Sequence, residues 1–238
     1  MHIDVRLGGD AAFDQLVAAC RDMGLQVMLD GVFNHVSRNH PAVQAALDET
    51  AGRLNPADNP WHGLVRAHVG DNGEPALDVF EGHGDLVALD HSADETVDYV
   101  VHVNEPLAGS RTAGWRLDAA YAVPSPFWAR VLPQVKAAHP YSWIFGEVIH
   151  GDYPRIIEES TMDSITQYEL WKSIQHALET ENFFELDWNL KRHNAFLDSF
   201  VPQTFIGNHD VTRIASQIGP AKAALALAVL MTVGGVPS

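Results

Sequence analysis

The chain has 238 residues, of which 46% are apolar and 19% charged, values that are ordinary for a folded globular protein. Its length is sufficient for one large domain with a hydrophobic core. Its formal net charge is −16, from 15 basic and 31 acidic residues, which argues against nucleic acid and membrane surfaces as partners.

The sequence offers little evidence about the compartment. Cys20 is the only cysteine, which rules out an intrachain disulfide and a cysteine-based zinc site, and we interpret it as part of an apolar helix face. Residues 1–6 lack the hydrophobic region of a signal peptide, which favours the cytoplasm without determining the compartment. The longest apolar stretch, residues 223–233, is shorter than the roughly 20 residues that a membrane-spanning helix needs.

The first predicted helix begins at Asp10, which can cap it, and ends before Gly24. Apolar residues recur at the helical spacing at Phe13, Leu16, Val17 and Cys20. A strand is predicted at residues 26–30, after a short connection.

Residues 36–91 differ in character from the rest of the chain. Turn-forming runs of Asn-Pro, Asn-Gly and Gly-His-Gly recur there, with little periodicity between them. We therefore predict an irregular inserted subdomain that carries Trp61 and Phe80, which leaves residues 1–35 and 92–238 to form the main domain.

The next predicted helix starts from a capping box, Ser-Ala-Asp-Glu, at residues 92–95. Pro106 and Gly109 would cost about 3 and 1 kcal/mol inside a helix. We therefore predict that this helix ends near Asn104.

Strands alternate with helices from residue 114 onward, which predicts a parallel sheet covered by helices and so an α/β fold. Strands are predicted at residues 115–119, 143–148, 163–166 and 203–207. Helices are predicted at residues 125–138, 154–160, 167–180, 187–200, 211–217 and 220–232, and residues 234–238 resemble the entry to another strand. Ser125 can cap the first of these helices, with Pro126 in its first turn. The helix at 167–180 places on one face Tyr168, Trp171, Ile174 and Leu178.

Four predicted strand ends carry an acidic residue directly after or within an apolar run. These residues are Asp30, Asp118, Glu147 and Asp210. A buried polar group costs stability unless it is paired, so independent burial of four such groups would be costly. Barrel enzymes place their active sites at the carboxyl ends of their strands, so the pattern indicates carboxylate catalysis.

The strand at 115–119 brings a cation beside one of these acids. Side chains at i and i+2 of a strand point to the same face, so Arg116 and Asp118 should be neighbours, and Asp30 could bind Arg116 from an adjacent strand. The guanidinium would keep Asp118 ionised, as a nucleophile must be. Taken alone, such a pair is more often a structural ion pair.

Glu147 follows Phe145 and Gly146, an apolar setting that favours the neutral carboxyl group of a general acid. Two carboxyl groups driven toward opposite protonation states are typical of glycoside hydrolysis. Carboxyl groups about 5–5.5 Å apart would indicate retention of configuration, and about 6.5–9.5 Å inversion. The sequence lacks the motifs of zinc proteases, of serine hydrolases and of phosphate-binding loops.

The four strand ends resemble the signature regions of the α-amylase family. They read DGVFNH at 30–35, GWRLD at 114–118, FGEV at 145–148 and FIGNHD at 205–210, in the family's order. The resemblance implies an incomplete (β/α)8 TIM barrel, from about strand 3 to strand 7 plus the start of strand 8. The irregular insertion would then lie between strand 3 and helix 3.

The same resemblance implies roles for individual residues. Asp118 would be the nucleophile, Glu147 the acid/base, and Asp210 a third carboxylate that orients sugar hydroxyls and stabilises the transition state. The subsite of the reacting sugar would be lined by Arg116, His35, His209 and Asn208. Asp30 would be a buried support, and Asn34 a calcium ligand that links barrel and insertion.

The family implies a retaining hydrolase of α-1,4-linked glucans or maltooligosaccharides. Ala119 and Ala120 follow Asp118 where true α-amylases usually carry a Lys-His pair, which favours relatives that act on oligosaccharides and weakens the case for calcium. A transglycosylase or an isomerase, of the trehalose-forming or branching type, is an alternative. A catalytically inert truncated barrel, which lacks counterparts of strands 1 and 2, is another. Trp61 and Trp171 could stack on sugar rings, but we expect Trp171 to pack in the core.

Overall fold

The computed structural model describes residues 3–108 and 112–238, with the side chains of 104–108 left aside. The chain divides into two compact units, Met1–Trp143 and Ile144–Ser238.

Helix α1, Gly9–Asp22, opens the first unit, as predicted. Asp10 does not cap it, because Gly8 is the N-cap residue with a φ of +98°, which glycine adopts without strain. Asp10 instead accepts a hydrogen bond from the backbone N–H of Ile3 at 2.9 Å. Of the predicted apolar face only Phe13 and Val17 are buried, and Leu16 is exposed.

Strand β1, Met28–Gly31, is followed by two small antiparallel sheets. Strand β2, His35–Ser37, is the first strand of one of these sheets. The other sheet consists of β3, Ala67–Val69, which pairs with β4, Pro75–Leu77. Strand β5, Leu86–Ala88, then returns to pair with β2. The chain therefore enters and leaves this region along neighbouring strands.

Helix α2, Pro41–Thr50, lies in the region predicted as irregular, and the turn signals there did not predict it. Its signals are weak in the sequence, because the N-cap is His40, whose Nδ1 accepts from the N–H of Ala42 at 3.2 Å. The helix packs into a local core that is formed by Ala42, Val43, Ala46, Leu64, Val65, Val87 and Leu89. Trp61 packs against this cluster and meets the ring of His40 edge-on, at 5.2 Å between centroids.

Helix α3, Asp94–Ala108, starts where the capping box predicts, but it does not end near Asn104. Pro106 lies inside the helix. A proline removes a single backbone N–H donor, and here the loss of that one hydrogen bond does not stop the helix. Gly109, the second predicted breaker, lies outside the described residues.

Strand β6, Gly114–Leu117, pairs in parallel with β1, so that Asp30 lies opposite Arg116. Helix α4, Ser125–Ala138, follows and ends as predicted. Ser125 does not cap it, because Pro124 occupies the N-cap position and Ser125 is already the first helical residue. Five buried residues attach α4 to the core: Phe127, Trp128, Val131, Leu132 and Val135.

The second unit continues the alternation of strands and helices. Its strands are β7, Trp143–Gly146, which begins at the last residue of the first unit, β8, Ser164–Ile165, β9, Gln203–Thr204, and β10, Val236–Pro237. Its helices are α5, Tyr153–Ser160, α6, Tyr168–Thr180, α7, Phe184–Phe196, and α8, Ile214–Leu230. Strands β7 and β8 pair in parallel, as do β9 and β10, and Thr166 bridges to Gln203.

The helices of this unit agree with most of the sequence pattern. The predicted face of α6 is buried at Tyr168, Trp171, Ile174 and Leu178. Helix α7 starts and ends about one turn earlier than the predicted 187–200. Helix α8 is interrupted at Gly219, with φ 81° and ψ 159°, just before Pro220, where the sequence predicts a break between two helices.

The pairs between the main strands are parallel and helices separate these strands along the chain, so the α/β class is confirmed. The eight-stranded barrel, its strand numbers and the domain boundaries at 35/36 and 91/92 stay predictions. Across residues 3–108 and 112–238, every helix is too short or too polar to cross a bilayer.

Candidate active site

Arg116 is the centre of the charged cluster in the first unit. Its Nη1 donates to Oδ1 of Asp30 at 2.6 Å and to Oδ1 of Asp118 at 3.0 Å. The parallel register of β1 and β6 places Asp30 beside Arg116, and the two-residue spacing along β6 places Asp118 on the same face. The predicted contacts among these three residues are therefore confirmed.

Burial differs within this cluster. The side chains of Arg116 and Asp118 keep 17% and 24% of their surface exposed, whereas Asp30 keeps 49%. The expectation that Asp30 is buried is wrong, because β1 is an edge strand that pairs, among the described residues, with β6 alone, and solvent reaches its other side. Arg116 therefore holds one partly buried and one solvated carboxylate.

A sharp turn presents Asp118 at the end of β6. The backbone N–H of Asp118 donates to the carbonyl of Gly31 at 3.0 Å, which extends the strand pairing by one residue. Ala119 then adopts φ 46° and ψ 35°, a left-handed conformation that a non-glycine residue adopts at some cost, and it is buried. The strand thus stops directly after Asp118, with that side chain at its carboxyl end.

His35 lies close to the same cluster. Its ring stacks on Phe80, with 5.0 Å between centroids and 17° between planes, and its Nδ1 lies 3.2 Å from Nδ2 of Asn34. Burial lowers the pKa of His35, and the negative charge of Asp118 opposes this effect. An amide nitrogen can only donate, so Nδ1 of His35 accepts from Asn34, and a neutral ring in this contact carries its proton on Nε2.

Asn34 was the residue implied as a calcium ligand. Calcium takes six to eight oxygen ligands, mostly from carboxylates and carbonyls. Within residues 3–108 and 112–238, no three carboxylate, histidine or cysteine side chains lie close enough to hold a metal ion. The buried Asn34 side chain contacts an imidazole instead, so the residues present do not make a carboxylate-rich cage, and calcium here stays a prediction.

Tyr121 and Glu81 add a polar contact that sequence reasoning missed. The phenol O–H of Tyr121 donates to Oε1 of Glu81 at 2.8 Å, and its ring lies 6.5 Å from that of Phe80. Glu81 has a φ of 47°, the left-handed region, which directs this part of the insertion back toward the end of β6. The sequence offers Phe80 as a signal for this contact, but it predicts Phe80 only as part of the insertion.

Glu147 follows β7 in the second unit and is 7% exposed. The adjacent backbone is fixed by Thr166, whose Oγ1 accepts from the N–H of Val148 at 2.9 Å and donates to its carbonyl at 3.0 Å. The N–H of Thr166 also donates to the carbonyl of Gly146 at 3.1 Å. Buried hydrogen bonds on both sides of Glu147 therefore hold its backbone in place.

Tyr168 binds the Glu147 carboxylate directly. Its O–H donates to Oε1 of Glu147 at 2.7 Å, and its oxygen accepts from Nδ2 of Asn208 at 2.7 Å. Burial raises the pKa of Tyr168, and the hydrogen bond to Glu147 and the charges of Glu147 and Asp210 raise it further. The phenol therefore stays protonated and remains a donor.

Asp210 and His209 lie in the loop after β9, and both are exposed. Nε2 of His209 lies 3.4 Å from Oδ1 of Asp210. The N–H of Asp210 donates to Oδ1 of Asn208 at 3.1 Å, so Asn208 links this loop to Tyr168.

Each unit therefore assembles part of the predicted site. The first brings together Asp30, His35, Arg116 and Asp118, and the second brings together Glu147, Asn208, His209 and Asp210. The sequence predicts Tyr168 only as part of an apolar helix face. Its position was the signal available, because Tyr168 comes just after the strand that follows the one that carries Glu147. Trp171 stacks on Phe205 at 5.7 Å and is buried, which confirms that it packs in the core.

Comparison with known proteins gives consistent matches. The family described as "Alpha amylase, catalytic domain" matches residues 1–238. The maltogenic alpha-amylase of Bacillus acidopullulyticus is 27% identical over 225 residues, which cover 92% of this chain and 38% of that protein. A cyclomaltodextrinase of Bacillus sp is 28% identical over 236 residues, which cover 96% of this chain and 42% of that protein.

The fold is shared with solved structures. The cyclic alpha-maltosyl-(1→6)-maltose hydrolase from Arthrobacter globiformis, in complex with cyclic alpha-maltosyl-(1→6)-maltose, matches with a TM-score of 0.83 at 22% identity. The match covers 99% of this chain and 54% of that chain. The chain spans about two fifths of the length of the curated relatives described above.

Proposed function

The chain belongs to the alpha-amylase family, and on that premise we propose that it carries the catalytic residues of a retaining α-glycoside hydrolase. The proposed substrates are α-1,4-linked glucans or maltooligosaccharides. The names of the relatives, a maltogenic amylase and a cyclomaltodextrinase, support this class of substrate. We also propose the incomplete (β/α)8 barrel, from about strand 3 to strand 7 plus the start of strand 8, as the architecture that holds these residues.

The proposed reaction is a double displacement. An oxygen of Asp118 attacks the anomeric carbon while Glu147 gives its proton to the leaving glycosidic oxygen, so that the C–O bond breaks and a glycosyl ester forms. Glu147, now a carboxylate, then takes a proton from water as the water oxygen attacks the same carbon and releases Asp118. Two inversions give net retention.

The contact of one Arg116 nitrogen with both Asp30 and Asp118 is the observation that carries this proposal. The Arg116 nitrogen lies 3.0 Å from Oδ1 of Asp118, and this ion pair orients the carboxylate that would act as nucleophile. Asp30 binds the same nitrogen from the other side and so fixes the arginine rather than the substrate.

Glu147 is supported as the acid/base by its burial and by its hydrogen bond. The Glu147 carboxyl group is buried and accepts a hydrogen bond from the Tyr168 hydroxyl at 2.7 Å, which holds in one orientation the group that would give and later take the proton. Asp210, with His209 and Asn208 beside it, offers exposed acceptors and donors for the hydroxyls of a sugar ring. We assign His35, which exposes part of a stacked neutral ring, to the same sugar subsite.

Calcium at Asn34 is retained as a proposal with its own test. A calcium titration of the chain by calorimetry, beside Asn34→Ala, reports binding without any need for activity. Heat that saturates in the parent chain and is lost in the variant supports the site, and equal curves reject it.

The deciding experiment is hydrolysis of p-nitrophenyl α-glucoside and of a maltooligosaccharide by the purified chain. Asp118→Asn should lower kcat at least about a thousandfold, since the nucleophile is removed. Asp71→Asn, at an exposed turn of the insertion, is the matched control and should keep full activity. NMR of the first product should show the α-anomer.

A parent chain that is folded but inactive contradicts the proposal for this chain. Activity equal in Asp118→Asn and in the parent chain contradicts the assignment of the nucleophile. Sugar products longer than the substrate would show that a sugar replaces water as acceptor, with the same first step.

A further inference from the structure

The Tyr168 hydroxyl lies at the centre of a chain of hydrogen bonds between two of the proposed catalytic acids. The N–H of Asp210 donates to Oδ1 of Asn208 at 3.1 Å, and Nδ2 of Asn208 donates to the Tyr168 oxygen at 2.7 Å. The Tyr168 O–H donates to Oε1 of Glu147 at 2.7 Å. Two side chains, Asn208 and Tyr168, therefore connect the backbone N–H of Asp210 with the carboxyl group of Glu147 within the second unit.

The ring of Tyr168 cannot turn away from this position easily. It meets Trp171 edge-on at 5.8 Å and Phe205 edge-on at 4.8 Å, and the side chain belongs to a buried cluster with these two residues. Fixed aromatic packing on both sides directs the hydroxyl at Glu147 before any substrate binds. The donor is thus preorganised.

We propose that Tyr168 is a positioning residue that stabilises the Glu147 carboxylate after proton transfer and connects it through Asn208 to the Asp210 loop. The proposal deepens the function proposed above and rests on it for its catalytic meaning. Its structural part, the control of Glu147 by Tyr168, concerns a hydrogen bond that can be measured in an inactive chain.

The direction of the effect follows from the charges that face Tyr168. A hydrogen bond to a carboxylate is stronger than one to a neutral acid, so the phenol favours the ionised form of Glu147. The facing groups are Glu147 after β7 and, in the loop after β9, Asp210 and the neutral Asn208, with His209 beside Asp210. Burial, with the charge of Asp210 and that of Glu147 whenever Glu147 is ionised, raises the pKa of Tyr168, so the phenol donates a hydrogen bond without giving up its proton.

Tyr168 acts in the reaction at one step, directly after Glu147 has lost its proton. When Glu147 has delivered its proton to the glycosidic oxygen, the new carboxylate receives the full strength of the Tyr168 hydrogen bond. This contact lowers the energy of the glycosyl-enzyme state and leaves Glu147 ready to act as base. Asn208 strengthens the effect, since a phenol that accepts a hydrogen bond becomes a better donor.

The test compares the parent chain with Tyr168→Phe, which keeps the ring and removes only the hydroxyl. The ¹³C resonance of the Glu147 carboxyl group, assigned with Glu147→Gln, is followed against pH. We expect its titration midpoint to rise by about one pH unit in Tyr168→Phe, which is the usual scale for loss of one hydrogen bond to a charged group. In active protein, the alkaline limb of the pH profile of kcat/KM should shift to higher pH by a similar amount.

Tyr153→Phe is the matched control. Tyr153, like Tyr168, is buried in the second unit, but its O–H donates to the carbonyl of Ile149 at 3.1 Å and not to a carboxylate. This variant should leave the Glu147 midpoint and the alkaline limb where they are in the parent chain. A shift of equal size in Tyr153→Phe would overturn the proposal, because it would show a general packing effect.

The outcomes separate this inference from the proposed function. A midpoint that stays within about 0.2 pH unit in folded Tyr168→Phe overturns the inference, whether or not the chain is active. A midpoint that rises in a chain without activity supports the hydrogen bond and contradicts the proposed function alone. If Tyr168→Phe does not fold, Asn208→Ala replaces it: a smaller rise of the midpoint supports the relay, and none overturns it.

Discussion

Arg116 shows how one residue can hold together a charged cluster, since it pairs with both Asp30 and Asp118 in the first unit. It binds two carboxylates through one nitrogen, and only 17% of its own side-chain surface is exposed to solvent. Two carboxylates left beside each other without this cation would repel one another in a partly dry setting. Arg116 therefore serves stability as well as the proposed chemistry.

Arg116→Met should lower the free energy of unfolding by about 2 kcal/mol, because it leaves partly buried Asp118 without its cation. Urea unfolding, followed by circular dichroism, measures this change. Arg155→Met is the matched control: Arg155 binds Glu159 at 2.7 Å on the surface, with 70% of its side chain exposed. An exposed pair contributes about 0.5 kcal/mol, so equal losses in the two variants would contradict the argument.

The elements show which parts of the fold the sequence predicts. Helix α6 was predicted closely because its buried residues repeat at the helical spacing. Helix α2 was missed because its cap is a histidine and its buried face consists of small residues, Ala42, Val43 and Ala46. The end of α3 was misplaced because the loss of one donor at Pro106 was given too much weight.

The contacts of the candidate site also fall into two kinds, those that local sequence predicts and those that depend on packing. The contact of Arg116 with Asp118 follows from two-residue spacing in one strand, so local sequence predicts it. The hydrogen bond from Tyr168 to Glu147 joins residues 21 apart on different elements, and it depends on how α6 packs. Nothing in the local pattern distinguishes a tyrosine on an apolar face from one that binds a carboxylate.

Gly114 shows how one backbone position limits a whole strand. A Cβ at this residue would lie 1.7 Å from the carbonyl oxygen of Trp143. We expect Gly114→Ala to lower the free energy of unfolding by about 3 kcal/mol or more, because neighbouring backbone must move. Chemical denaturation measures this loss.

Gly84→Ala is the control for this prediction, since a Cβ there meets no atom within 4 Å. Its effect should stay within about 0.5 kcal/mol, as for most surface substitutions. A Gly114→Ala chain as stable as Gly84→Ala would contradict the prediction, because it would show that the Trp143 backbone moves at little cost in free energy.

The whole molecule carries several histidines whose charge is suppressed in the folded state. Burial lowers the pKa of His35, His40, His91 and His193. Below about pH 6.5 the unfolded chain binds more protons at these positions than the folded chain does. Folding stability is therefore expected to fall as the pH drops from 7 to 5.

His193→Gln should reduce this loss by up to about 1.4 kcal/mol per pH unit. His193 is fully buried, and its Nε2 lies 2.6 Å from the carbonyl oxygen of Gly234, a contact that a glutamine amide can replace. Thermal and urea unfolding between pH 5 and 7 measure the slope. His150→Gln, at an exposed position, should keep the parent slope, and a His193→Gln slope equal to it would contradict the prediction.

The local core around α2 has a consequence for the order in which the chain folds. Its buried members all lie between Ala42 and Leu89, whereas the contact of Asp30 with Arg116 closes a separation of 86 residues. Closing a longer stretch of chain costs more entropy and is slower. The insertion can therefore complete its core early, and once folded it holds the ends of β2 and β5 together, which shortens the search by which β1 finds β6.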